Sequence, residues 1–428
     1  MALRKNQRNL TDWEKTQFTD AVLKLKAEKT GTTNTYDKYV QWHIDYTDAT
    51  HAGPAFFAWH REFLRRFEIE LQRIMKDDTL GLPYWDWSVD QAPPSWPFTK
   101  EFLGGNGTSD ARFPGKVVDG PFAFDDPNNW TLHVFDPDDP DPYARYPYLR
   151  RQFGPGPGNP KSSLPTPANV QATFKATPYD VDPWNENSAS GFRNMAEGNI
   201  PEPRPQMHNR IHHWVGGSMV PPTSPNDPVF WLHHCYVDKL WADWQRLHKD
   251  DVGYQPYVPE KDARTGHNLT DRMAPWHQKR PLDVLNTWDL GYHYDNDNYL
   301  MPNDVLYPGQ SIATPIVNGR RFSLTYSSSD GNNLVLGSNQ VAWALWLSTN
   351  QALPDGWCVM QTDGNLVIYD WSNKPLWPSN TNYGYWIYLT VEDATEKRSG
   401  HLQMYRWDDQ TPIDWSVPPP KVGNSAKG

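Results

Sequence analysis

Cysteine is scarce: Cys235 and Cys358 are the only two in 428 residues and lie far apart, which excludes a disulfide-stapled scaffold. No stretch approaches the roughly 20 consecutive apolar residues that a membrane helix requires, so no membrane span is expected. The opening residues, MALRKNQRNLTDWEKTQF, lack the apolar run of a secretory signal. As written, the chain is expected in the cytoplasm, with export on a partner's signal as the other route. Cations are the minority charge, 40 Lys+Arg against 51 Asp+Glu for a net −11, so nucleic acid is not an expected partner. What is abundant is aromatic: 22 Trp, 21 Tyr and 16 Phe are far too many for a disordered chain. Against a prior of roughly 100–200 residues per domain, the length points to at least two domains.

The first half reads as helices set in long loops. Thr11 followed by Glu14 forms a capping pattern, and Phe18, Val22, Leu23 and Leu25 continue an apolar stripe, predicting a helix over 11–30. A second helix is predicted from Phe56 through Phe63, Phe67, Leu71 and Ile74, ended by Gly81 and Pro83. From Asp90 to Tyr179 periodicity gives way to Pro, Gly, Asp and Asn mixed with aromatics, the composition of ordered loops. Helical patterning returns over 204–216 and 226–248, separated by Gly216-Gly217. Past about residue 300, short β-type runs alternate with Asp-Gly, Asn and Pro turns. DGNNLVL at 330–336 recurs as DGNLVIY at 363–369, and LWLSTN at 345–350 as LWPSNT at 376–381, with a faint third copy over 401–416. Three small sheets sharing one core would explain that period.

Eight of the fourteen histidines fall in two clusters, His43, His51 and His60, then His208, His212, His213, His233 and His234. His208 and His212 are four apart on a predicted helix, so both imidazoles leave one face and reach one ion, with His234 on the next helix as a third donor. Sites built from imidazole alone suit copper, zinc, iron or nickel. Two such triads with open positions suit dioxygen chemistry at copper.

The segments HAGPAFFAWHREFLRRFE from His51, HNRIHHWVGG from His208 and NDPVFWLHHCYVDKLW from Asn226 closely resemble the copper A and copper B motifs of the tyrosinases, the type-3 copper family, in its bacterial form. The resemblance spans roughly residues 3–296 and implies a mainly α-helical bundle with long loops housing a dicopper site. It makes His43, His51 and His60 ligands of one copper and His208, His212 and His234 ligands of the other, with dioxygen as co-substrate. His233 becomes a packed neighbour, and His213 faces either the substrate entrance or solvent. Phe230 matches the aromatic that packs on a copper B histidine. Asp238 is expected to orient an imidazole or to pair with Arg61 or Lys239, and Arg61 is counted with the residues supporting the pocket. Tyr292-His293-Tyr294 resembles the tyrosine motif closing the family's core, with Arg4 its N-terminal partner. Many relatives carry a thioether-forming cysteine two residues before the second copper A histidine; here Ala49 stands in that place.

In that family a phenol is hydroxylated ortho to its hydroxyl, or a catechol is oxidised to an o-quinone. A neutral phenol has a pKa of about 10, so a base in the pocket helps it lose its proton. Glu197 and Asn209 occupy the positions where the family holds a water that can take it, against readings as a surface carboxylate and a local cap.

Gln361, Asp363, Asn365, Val367 and Tyr369 match every fixed position of the QxDxNxVxY motif of bulb-type mannose-binding lectins. That resemblance implies a β-prism, with mannose-type glycans as candidate ligands, or a related module that kept the fold for another task. The expected architecture is multi-domain, α followed by all-β: a catalytic domain over 1–296, a linker over 297–305, a lectin-like domain over 306–418 and a tail over 419–428. The expected partners are phenolic or catecholic small molecules, with a copper-delivery protein as a further candidate. Alternatives on the same ligands are an o-aminophenol or catechol oxidase and a haemocyanin-like oxygen carrier; a lectin-type binding protein is another class.

Overall fold

The computed structural model describes residues 2–417 except 126, 142–144, 155–162, 199–205, 249–252, 262, 288, 296–298, 301, 303, 314–321, 339–343, 347–350, 384–386, 393–400 and 407–410. The expected tail over 419–428 and parts of the repeat segments lie outside the described residues. The chain divides into two compact units, residues 1–294 and 295–428.

The first unit is built on helices α1 (Asp12–Ala27), α2 (Thr35–Thr50), α3 (Ala55–Met75), α4 (Pro167–Phe174), α5 (Phe192–Glu197), α6 (His208–Val215) and α7 (Val229–Leu247). Thr11 caps α1 reciprocally with Glu14, satisfying two otherwise orphaned amides. α1 stops short of the predicted residue 30 because Lys29–Thr30 pairs with Thr33–Asn34 around Gly31, whose φ is +69°. α3 also ends early. Lys76 takes a left-handed conformation and its N–H returns to Arg73, while the Asp77 N–H returns to Gln72, so the last carbonyls are satisfied before Gly81 is reached. The segment 204–216 is helical only from His208 in the described part, and α7 starts at Val229 after a 3₁₀ turn over Ser224–Asn226.

α3 packs between α1 and α7 through a nearly continuous aromatic core. Phe67 stacks on Trp231 with ring centroids 3.5 Å apart and planes 5° apart, and Tyr36, Tyr39 and Phe63 close around the pair. The long loops are ordered by buried cations. Arg151, fully buried, grips both oxygens of Asp227 at 2.7 and 2.8 Å and donates to the carbonyls of Leu103, Gly104 and Gly105.

The second unit contains three four-stranded antiparallel sheets. Their inward side chains, including Leu300, Leu306, Ile312, Leu324, Leu336, Met360, Ile368, Leu389 and Leu402, form one cluster. One stretch of chain supplies an edge strand to each sheet in turn: Tyr299–Leu300, Val305–Leu306 and Ser311–Ala313. The expected linker over 297–305 is therefore corrected: its strands belong to the sheets because Leu300 and Leu306 are core residues. Among the described residues no helix is long and apolar enough to cross a membrane.

Candidate metal centre

Four helices and one loop bring the predicted histidines together. His43 leaves α2, His60 leaves α3, and His51 sits where α2 ends. His208 and His212 leave one face of α6, and His233 and His234 leave α7. Ligand atoms of His43, His51 and His60 lie within 4.8 Å of one another, as do those of His208, His212, His233 and His234. The two groups adjoin: the rings of His60 and His234 stack at 4.6 Å, and those of His51 and His208 are 6.0 Å apart.

On five of the six rings, all but His234, the proton is placed by the second nitrogen. Nδ1 of His43 bonds the Pro222 carbonyl at 2.6 Å, that of His60 the Phe56 carbonyl at 2.7 Å, and that of His51 the Thr47 carbonyl at 3.1 Å. His212 uses the Met219 carbonyl at 2.6 Å, and His208 the side-chain oxygen of Asn209 at 2.9 Å. A carbonyl oxygen only accepts, so these Nδ1 atoms carry hydrogen and each Nε2 presents a lone pair. Burial, above all, pushes the pKa values of His43, His60, His208 and His234 well below their usual 6.5. It takes His51 to about 4 and His212 to about 3, so all six rings are neutral.

This arrangement fits metal ions and little else. Nε2 of His208 lies 3.0 Å from that of His212 and 3.2 Å from that of His234, and the latter two are also 3.2 Å apart. No hydrogen lies between His208 and His212 to bond them, so their lone pairs repel unless a cation sits between. Donors about 2.0 Å from one ion lie ~3.3 Å apart in tetrahedral geometry, close to the spacing here. In the other group, Nε2 of His43 and of His60 are buried with no hydrogen-bond partner among the described residues. Neutral imidazoles without thiolates suit copper.

The remaining predicted residues sort by contact. Phe230 stacks on His234 with centroids 4.0 Å apart and meets His43 edge-on at 5.1 Å. His213 is exposed. His233 is fully buried, accepts from the Trp87 indole at 3.2 Å and stacks on His208. Glu197 is a buried residue at the end of α5, which removes its reading as a surface carboxylate. One oxygen accepts the Ala52 amide, and the other accepts from Arg193 at 3.2 Å. The chain then turns at Gly198, with φ +99°, where a Cβ would lie 3.3 Å from the Asn209 Cβ, so Glu197 and Asn209 are held close.

Of the two readings of Asp238, the structure bears out the pairing with Arg61: among the described residues its carboxylate receives Arg61 and, at 3.1 Å, Arg4, together with the hydroxyls of Tyr292 and Tyr294, and no imidazole. Burial opposes its charge, but the two guanidiniums outweigh this and hold its pKa below normal. Arg61 is fully buried over the Trp241 ring and donates to Gln245 and to the carbonyls of Val284 and Leu285. Together they lock the strand Ala2–Arg4, paired in parallel with Tyr292–Tyr294, onto α3 and α7. Four of the imidazoles are oriented by main-chain carbonyls, which have no sequence signature, and His208 by the side chain of Asn209. Arg193 also went unread, although its i,i+4 spacing from Glu197 was available.

In the second unit the motif residues share a stretch running through the strand Leu366–Asp370. Gln361 donates to the Tyr369 hydroxyl at 2.9 Å, Asp363 accepts the Asn365 amide at 3.0 Å, and Asn365 accepts from Ser379 at 3.0 Å. Tyr369 stacks on Trp357, and Val367, on the opposite face of the strand from Leu366 and Ile368, is buried.

Comparison with known proteins agrees with this geometry. Residues 33–247 match the common central domain of tyrosinase. The chain is 42% identical over 305 residues to a tyrosinase of Streptomyces glaucescens, covering 69% of this chain and all of that one. It is 38% identical over 322 residues to the grixazone synthase of Streptomyces griseus, covering 68% of this chain and 99% of that one. A polyphenol oxidase from Thermothelomyces thermophila shares the fold at 24% identity and a TM-score of 0.51, over 69% of this chain and 89% of that one. The chain therefore belongs to the tyrosinase family and is a type-3 copper oxidase of phenols.

Proposed function

We propose that His43, His51 and His60 hold one copper and His208, His212 and His234 the other, and that the protein both hydroxylates monophenols and oxidises catechols. The observation that carries this reading is the convergence of neutral imidazole lone pairs in two adjoining sets. When bound, the copper pair supplies reversible electron transfer and activation of dioxygen. A monophenol and O2 yield an o-quinone and one water; two catechols and one O2 yield two o-quinones and two waters. The protein's part is to bind, orient and deprotonate. Phe230 flanks His234 and limits its rotation. Glu197, pinned between the Ala52 amide and Arg193, and Asn209, beside His208, are read as holding the water that takes the phenolic proton. With His233 buried, His213 is the histidine of this cluster that meets incoming substrate.

In the second unit, Gln361, Asp363, Asn365, Val367 and Tyr369 are read as a mannose-type sugar site on a lectin-like β-prism. In support, the polar groups are tied to one another before any ligand arrives, and Tyr369 is backed by Trp357.

Copper-loaded protein given tyramine or catechol and followed by visible absorbance tests the catalytic reading, with turnover of both expected. Turnover of catechol alone would reduce it to a catechol oxidase, and reversible oxygen uptake without turnover would make it a carrier. His208→Ala should bind one copper and lose activity. Retention on immobilised mannan, reduced in Asn365→Ala, tests the sugar site; equal retention of the two would count against it.

A further inference from the structure

His51 differs from the other five imidazoles in where it sits. His43, His60, His208, His212 and His234 stand on helices, whereas His51 follows the last residue of α2 and opens the turn into α3. The turn is conformationally awkward: Ala52, directly after His51, has φ +52°, a region that side chains disfavour. No covalent tie is available, because Ala49 stands where many relatives carry the thioether-forming cysteine.

The turn is held from outside. Arg264 donates to the Asp48 carbonyl at 2.8 Å and to the His51 carbonyl at 2.5 Å. Nδ1 of His267 accepts the Ala55 amide at 3.2 Å, and the Tyr179 hydroxyl donates to the Pro54 carbonyl at 2.7 Å. The fit is close: a Cβ on Gly53 would lie 2.5 Å from His267 Nδ1 and 2.6 Å from an Arg264 nitrogen. The clamp is itself braced, since Tyr254 donates to the His267 carbonyl at 2.8 Å, and Asp271 accepts the amides of Gly266 and Asn268 at 2.9 and 3.2 Å. His267 is fully buried, and both residues lie beyond the 33–247 stretch that matches the family's common domain.

We propose that Arg264 and His267 are positioning residues that hold His51 in register with His43 and His60, a non-covalent restraint on the copper A side alone. The inference rests on His51 being a copper ligand. Freeing the turn lets the ligand swing away, while the copper B triad, carried on α6 and α7, keeps its frame.

The test measures copper per chain, and its release to a chelator, in wild type, Arg264→Ala, Arg264→Lys and His267→Gln, together with thermal unfolding of each copper-free protein. In Arg264→Ala one of the two coppers should leave ~10–100-fold faster, the usual cost of removing a residue that orients a ligand. The remaining ion should give the paramagnetic signal of a lone Cu(II). Arg264→Lys, able to keep one of the two carbonyl contacts, should fall between. Two coppers leaving Arg264→Ala at the wild-type rate, or both leaving equally fast, would overturn the inference. Should Arg264→Ala not fold, His267→Gln decides by the same criterion. Wild-type protein that never holds two coppers would sink the ligand assignment first, and this inference with it.

Discussion

The side-chain oxygen of Asn209 accepts the Nδ1 proton of the adjacent His208 at 2.9 Å. Of the five imidazoles with an Nδ1 bond to an acceptor, four use a main-chain carbonyl, His51 lying equally near the Thr50 hydroxyl at 3.1 Å, whereas the acceptor of His208 is the Asn209 side chain. It can therefore be changed by mutation without moving the backbone. Asn209→Ala should weaken binding of one copper ~10-fold or more and depress monophenol hydroxylation more than catechol oxidation. Copper titration and the ratio of the two activities check this. An unchanged ratio at full copper loading would leave Asn209 without a part in proton removal.

Asp238 is surrounded by Arg4 and Arg61, and removing its charge takes one of two carboxylate partners from Arg4 and, among the described residues, the carboxylate partner of Arg61. Asp238→Asn should cost ~3–5 kcal/mol of stability, as breaking buried ion pairs does. Copper stoichiometry in the folded variant should remain two. A stable variant that binds one copper would restore the imidazole-orienting reading that the structure replaces.

The buried histidines tie stability to pH. Their folded pKa values lie below the ordinary 6.5, at about 4 for His51 and about 3 for His212, so below 6.5 the unfolded chain binds more protons. Their contribution is complete above 6.5 and is lost as pH falls through about 4 and then about 3. Copper-free protein should lose melting temperature progressively over that window. A flat profile between about pH 6.5 and 4 would contradict the burial of these rings.

Cys235 and Cys358 are free and fully buried, and burial raises both thiol pKa values well above normal. Neither should react with a thiol reagent in native protein at neutral pH, and both should titrate after denaturation. One thiol reacting rapidly in the native state would show that its unit opens locally.

Much of the site is written in local pattern. His208 and His212 at i,i+4 can only share a helix face, and the apolar stripe Phe63, Phe67 and Leu71 marks the buried side of α3. α2 went unrecognised although it carries His43. Its buried positions are filled by Tyr36, Tyr39 and Val40, whose aromatic and β-branched character does not favour helix, and packing against Phe67 and Trp231 decides the matter. Local pattern carries α1 to residue 30, whereas pairing of Lys29–Thr30 with Thr33–Asn34 ends it at Ala27.

The sequence by itself determined the ligand type, the two clusters and their order, and the alternation that builds the second unit, because spacing along a helix or strand dictates which side chains share a face. Only the tertiary structure decided which atom orients the rings, which of the two readings of Asp238 holds, and that Arg264 and His267 reach the His51 turn. Carbonyl acceptors such as those of Pro222 and Met219 belong to every residue alike and carry no signature. Long-range partners are chosen by how the chain packs, which no local spacing encodes.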